Sequence, residues 1–241
     1  MRSIRPLALA VSLAAADPSA VLFVGNSYTA ANGGLATHLA AFYAAANPGL
    51  TIETRGITVG GATLENHWSD PAVIAALTGG RWDACVLQEQ STRPVTHPLL
   101  MYAYADSLGD LAAASGTSPA FLMTWARSGD PEMIGDLSAA YEFAAGLSGA
   151  LVVPAGEAFA RSAVENPGID LYDPDGSHPS ARGTYLAVCV LYAALWDRSP
   201  VGVPYEGDPP IPEEERMALQ WTAWRTWLAE RGSGGTAEAP R

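Results

Sequence analysis

From residue 20 to residue 196 the sequence alternates short apolar runs with longer stretches of helical periodicity. The runs at 20–24, 50–58, 84–88, 120–124 and 150–153 are each followed by Gly, Ser, Pro or Asp. Brief segments that are mostly apolar on both faces are the pattern of strands buried inside a parallel sheet. Helices are predicted between them at 34–46, 71–77, 99–114, 131–147 and 156–164, with a long apolar helix at 180–196. Asp70-Pro71 and Asp130-Pro131 supply a cap and a first-turn proline for two of these. Parallel neighbours need right-handed crossovers, which put helices on both faces of the sheet. The expected fold is therefore α/β: a single three-layer α/β/α sandwich around a central five-stranded parallel sheet.

A Pro-rich connector then leads to a last helix at 213–231, whose Met217, Leu219, Trp221, Trp224, Trp227 and Leu228 form an apolar stripe suited to packing on the domain. At the other end, Arg2 and Arg5 precede an apolar stretch at 7–16 that finishes in Ala14-Ala15-Ala16. That arrangement reads as a secretory signal peptide over residues 1–16, with an ordinary apolar extension as the alternative. The expected layout is thus a leader, one domain at 17–231, a low-complexity disordered tail at 232–241, and a secreted or periplasmic location. No other stretch approaches the length of a membrane span, so no membrane insertion is expected.

The 25 acidic and 13 basic residues give a net charge of −12, which argues against nucleic acid and anionic membranes as partners. Cys85 and Cys189 both sit in apolar runs and read as buried thiols. Neither has a Cys or His neighbour at ligand spacing, and no phosphate-binding glycine loop follows any strand. No metal and no cofactor are expected.

In a doubly wound sheet, functional groups gather in loops at the carboxyl ends of the strands. Ser27 follows the first strand in "AVLFVGNSYTAAN", Gly60-Gly61 the second, "EQST" the third, and residues 125–130 the fourth. A serine nucleophile needs a base in hydrogen-bond reach, a group orienting that base, and donors for an oxyanion. Of the four histidines, His38 lies mid-helix, His67 could line a pocket or be structural, and His97 precedes a proline at a helix start. His178 differs, because it sits in the turn "YDPDGSHPSARG" with Asp175 three residues before it. Asp175 could hold Nδ1 and leave Nε2 facing outward as a base. A capped helix start explains the same turn, and the two readings are compatible.

The ordered set "F-x-G-N-S", "GG-x-T" and "D-x-x-H-P", spread from residue 20 to residue 196, resembles the SGNH (GDSL-like) hydrolase superfamily. The resemblance implies a flavodoxin-like SGNH hydrolase fold. It makes Ser27 the nucleophile, His178 the general base and then acid, and Asp175 its orienting partner. The family's oxyanion hole implies the N–H groups of Ser27 and of a glycine after strand two, plus an asparagine side chain after strand three. Gly61 matches the glycine better than Gly60, which could instead only shape the turn. The third block departs, reading "VLQEQSTRP" where the family shows "G-x-N-D". Gln90 carries the same amide on a longer arm and is the expected donor, with Gln88 and Thr92 as weaker candidates. Glu89 could orient the amide or satisfy buried backbone. Asn26 also stands where the family usually has an aspartate.

Tyr28, Trp68, Trp125 and Tyr172 are candidates for lining a substrate pocket, although buried packing is the commoner use of such rings. Arg127 and Asp130 share the loop after strand four. The function the resemblance implies is a serine esterase forming an acyl-enzyme on short-chain, acetyl-type esters of small molecules or saccharides. The alternatives are an acyltransferase with the same catalytic groups and an inactive carbohydrate-binding scaffold.

Overall fold

The computed structural model describes residues 17–233; the expected leader, and all but the first two residues of the expected tail, lie outside them. Five parallel strands form one sheet in the order β2-β1-β3-β4-β5. They are β1 (Ala20–Gly25), β2 (Glu53–Thr58), β3 (Ala84–Leu87), β4 (Ser118–Leu122) and β5 (Leu151–Val153). The crossover segments carry α1 (Ser27–Ala30), α2 (Leu35–Ala46), α3 (Leu64–Trp68), α4 (Pro71–Thr78), α5 (Arg93–Thr96), α6 (Pro98–Ala114), α7 (Met133–Ser148) and α8 (Ala155–Glu165). Two further helices, α9 (Ala181–Trp196) and α10 (Glu213–Ser233), complete the layers.

Period-two alternation divides the strands between two cores. Val21 and Phe23 point to one face, where they join α2, α9 and α10 through Phe42, Val188 and Leu219. Leu22, Val24, Cys85 and Leu87 point to the other and meet α4, α6 and α7 through Leu77, Leu108 and Tyr141. Both cysteines are free and buried. Because α9 is covered on nearly every side, by the sheet, α2, α8 and α10, its apolar residues run all the way round.

Several details correct the sequence expectation; among them, α7 starts at Met133 behind Glu132 rather than behind a cap at Asp130. The segment expected as a buried strand at 50–58 pairs only from Glu53, opposite Ala20, because β1 offers no earlier partner. It is an edge strand, largely exposed, and its polar residues face solvent. The fourth strand lies two residues earlier than expected, since its Ser118 pairs with Ala84. The short helices α1, α3 and α5 were absent from the expectation, since four or five residues leave no measurable period.

The strand order reverses direction between β1 and β3, so the loops leaving these two strands diverge and open a crevice at their carboxyl ends. Ser27 and Gln90 are carried on those two loops.

Candidate active site

The turn after β1 is built around Gly25, where an added Cβ would lie 2.4 Å from Thr29 Oγ1 and 2.7 Å from Gln88 Oε1. Only glycine lets the strand pass that close. Asn26 then caps α1, its Oδ1 accepting from the Tyr28 N–H at 3.1 Å. Its Nδ2 donates to the Ala62 carbonyl at 3.0 Å, and its own N–H donates to Gln88 Oε1 at 3.0 Å. Asn26 therefore uses both halves of its amide, which an aspartate could not do. Gln88, fully buried, also accepts from Thr29 Oγ1 at 2.9 Å, and its NH2 group donates to the Glu89 carbonyl. These bonds fix Ser27 at the head of α1.

The facing turn is local. Asp175 Oδ1 accepts from the N–H groups of Ser177 and His178, both at 2.9 Å, while Oδ2 lies 2.5 Å from His178 Nδ1. A carboxylate only accepts, so Nδ1 carries the proton and Nε2 presents a lone pair. Nε2 lies 2.9 Å from Ser27 Oγ. The bonds from His178 and Ser177 depress the Asp175 pKa from its ordinary 3.8 to about 2, the side-chain bond to His178 contributing most. Gly176 supplies the left-handed position of the turn, with φ +67°.

Aromatic packing supports this turn from beneath. Tyr28 stacks on Trp125 at 4.9 Å, and Trp125 on Phe159 at 4.2 Å. Tyr28 Oη lies 2.5 Å from Ser177 Oγ, and Trp125 Nε1–H donates to the Ser177 carbonyl at 3.0 Å. From the other side, Asn32 Nδ2 donates to the Pro179 carbonyl and to Thr184 Oγ1, each at 2.8 Å.

Ser27, Gly61, Gln90, Ser91, Arg127 and His178 line one open cleft of about 400 Å³. Gly61 has φ +68°, a conformation that favours glycine. Gln90 Oε1 accepts from Thr92 N–H, Thr92 Oγ1 and Arg93 N–H, all at 3.0 Å. Two of these are backbone donors, so the carbonyl half of the amide is assigned to them and the NH2 half is left to donate elsewhere. Gln88 and Thr92 are by contrast committed internally, and neither lines the cleft. Glu89 is fully buried, and its Oε1 accepts from Gln90 N–H at 2.6 Å and Leu64 N–H at 3.1 Å. It thereby ties the β3 loop to the start of α3, and burial raises its pKa.

The pocket candidates separate. Tyr28 lines the cleft beside Ser27, and Tyr172 lines an adjoining cavity, with its hydroxyl donating to the Ala126 carbonyl at 2.8 Å. Trp125 is 1% exposed and lies under Tyr28, so it packs rather than lines. Trp68 is 40% exposed at the end of α3 and lines neither space. His67 is buried under the nucleophile turn, donating Nε2–H to the Gly25 carbonyl at 2.9 Å. His38 is buried between Tyr205 and the Asn32 carbonyl, and the His97 ring lies 2.9 Å from Thr96 Oγ1. Among the described residues no cluster of three His, Cys, Asp or Glu side chains could hold a metal ion.

Gln88, Asn32 and Ser177 were missed as supports. Ser177 stands inside "DGSH", but the bonds of Gln88 and Asn32 span 62 and 147 residues and leave no local signal.

No protein-family model matches the chain, and no curated protein matches it either. Among solved structures, a candidate SGNH hydrolase from Slackia heliotrinireducens is 33% identical, with 73% of this chain and 98% of that one covered and a TM-score of 0.62. A DUF4886 family protein from Bacteroides uniformis is 21% identical over 88% of this chain and 95% of its own, with a TM-score of 0.67. An acetyl xylan esterase from Geobacillus stearothermophilus is 16% identical over 73% and 94%, with a TM-score of 0.59. The last two likenesses are of fold alone.

Proposed function

The chain belongs to the SGNH hydrolase superfamily, and on that premise we propose that it is a serine esterase that removes short acyl groups, acetyl foremost, from alcohols that include saccharide hydroxyls. The observation that carries this reading is the continuous run from Asp175 through both nitrogens of His178 to Ser27 Oγ.

In the first step Ser27 Oγ passes its proton to His178 Nε2 and attacks the acyl carbon. Asp175 holds Nδ1–H and stabilises the imidazolium that forms. The oxyanion takes hydrogen bonds from the N–H groups of Ser27 and Gly61 and from the NH2 of Gln90, whose orientation its three acceptor bonds define. Collapse expels the alcohol, protonated by His178, and leaves an acyl-serine. Water, deprotonated by the same imidazole, then releases the acid. No step needs a metal or an organic cofactor.

A chromogenic acetate ester tests the reaction, and an organophosphate tests the nucleophile, with the added mass expected on the peptide containing Ser27. Absence of both would overturn the reading. Product analysis with added sugar or alcohol separates hydrolysis from acyl transfer. We further propose export directed by residues 1–16, which N-terminal sequencing of the protein recovered outside the cytoplasm would test.

A further inference from the structure

Beside the catalytic cleft lies a second space of about 410 Å³, lined largely by apolar side chains that include Pro131, Phe159, Ile169, Leu171 and Tyr172. Arg127 lines both spaces and stands at their junction. In a chain with nearly twice as many acids as bases, seven of the ten described arginines are in ion pairs with carboxylates. Arg127 is not. Among the described residues its one side-chain bond is from Nη2 to Ser91 Oγ at 3.3 Å, a long contact.

Among the described residues, none of the surrounding carboxylates is in an ion pair with Arg127. Asp175 holds His178, and Asp170 Oδ1 accepts from the Tyr172 N–H at 3.0 Å. Asp130 faces Arg127 through a backbone bridge without an ion pair. A half-buried guanidinium that faces a cleft and is in no ion pair is suited to recognising an anion from a ligand, and its planar fork matches a carboxylate.

The geometry also indicates which half of an ester would reach it. The departing alcohol must lie where His178 can protonate it, on the base turn's side of Ser27. The wall carrying Arg127 rests on that turn: Ser128 N–H donates to the Gly176 carbonyl at 3.0 Å, and a Cβ on Gly176 would come within 2.4 Å of Ser128 Oγ. Tyr172, in the segment that enters the base turn, closes the cavity with its bond to Ala126. On the opposite side, Gly61 joins the catalytic cleft to a polar space lined by Asn66 and Asp70, which has no such cation.

We propose that Arg127 is a specificity-determining residue that binds a carboxylate carried by the alcohol half of the ester, whose apolar body occupies the adjoining cavity. The inference rests on the esterase reading for its kinetic form but not for its binding form. The first test compares 4-carboxyphenyl acetate with its neutral isostere 4-carbamoylphenyl acetate, each rate divided by the rate of its hydroxide-catalysed hydrolysis. The wild-type enzyme should favour the carboxylate by about tenfold in kcat/KM, the size of one charge-assisted hydrogen bond. Arg127→Met should erase that ratio, and Arg127→Lys, which keeps the charge without the fork, should retain part of it. A ratio near one in the wild type, or one that survives in Arg127→Met, overturns the proposal while ester cleavage itself stands. The second test needs no turnover: the Ser27→Ala protein should bind 4-hydroxybenzoate about tenfold more tightly than 4-hydroxybenzamide by calorimetry, and the added Arg127→Met change should abolish the difference. Equal binding of the two phenols overturns the anion site whatever becomes of the esterase reading.

Discussion

Asn26 is 3% exposed and reaches two other loops through its side chain and its N–H, whereas Asp175, across the cleft, has 49% of its side chain exposed and bonds only within its own turn. The nucleophile turn is fixed by bonds that close long loops, to Gln88 and Ala62 and from His67 to Gly25. The base turn is fixed by contacts two and three residues apart, with Tyr28, Trp125 and Asn32 steadying it. Buried bonds of the first kind carry stability as well as geometry, because an unpaired partner is left without water. Exposed bonds of the second kind carry chiefly geometry. Substitutions in the two turns should therefore divide into those that hurt fold and turnover together and those that hurt turnover alone.

The sharpest division comes from removing the reacting groups themselves. Ser27→Ala or His178→Ala should lower turnover on an acetate ester by on the order of a millionfold, with the thermal midpoint almost unchanged. A large fall in melting temperature for His178→Ala would break the contrast, since the side chain is 38% exposed. Asp175→Asn should cost about 10⁴-fold by favouring the wrong imidazole tautomer. It should also change acid stability. The Asp175 carboxyl is held below its ordinary 3.8, at about 2, so its contribution is complete above 3.8 and is lost as pH falls towards 2. Acid unfolding curves of the wild type and Asp175→Asn should differ within that window and run parallel above it.

Gln90 tests whether a donor or merely a cap has been identified. Gln90→Glu keeps the oxygen that accepts from Thr92 and Arg93 but loses the NH2, so turnover should fall by about 100- to 1,000-fold with the fold retained. Near-normal turnover would transfer the donor role to another group. On the nucleophile side, Asn26→Asp keeps the cap on Tyr28 but sets a carboxylate against the Ala62 carbonyl. Stability should drop by about 1–3 kcal/mol, and turnover by up to about 100-fold as Gly61 and Ser27 shift apart. Chemical denaturation and steady-state rates measure both.

The sequence made some of this legible and hid the rest for physical reasons. The five strands and the helices of eight residues or more carry apolar patterns of the kind a doubly wound sheet needs, and Ser27, Asp175 and His178 lie in turns with distinctive local chemistry. Edge and centre are harder to separate: "ETRGIT" reads as a strand, but its exposure follows from having one neighbour instead of two. The uses of the glutamines in "LQEQST" were the least legible. Gln88, Glu89 and Gln90 have similar side chains, yet one ties the nucleophile turn, one bridges to α3 and one faces the cleft. Only the direction in which each leaves the backbone at the end of β3 decides among these roles.

His67 offers the smallest effect and the cleanest check that the nucleophile turn is a stability element. Burial lowers its pKa below the ordinary 6.5, a shift that the Gly25 carbonyl and Asp70 only partly oppose. Between the lowered folded value and 6.5, the unfolded chain takes up a proton that the folded chain does not. Stability is thus complete above 6.5 and is lost as pH falls from there towards the folded value. His67→Gln can still donate to Gly25 but cannot titrate, so it should match the wild type at neutral pH to within about 1 kcal/mol and should lack this first acid loss. Denaturant midpoints at a series of pH values measure the difference. Because the Asp175 contribution begins to be lost only below 3.8, the two turns can be read separately on one pH axis, the buried one first and the exposed one last.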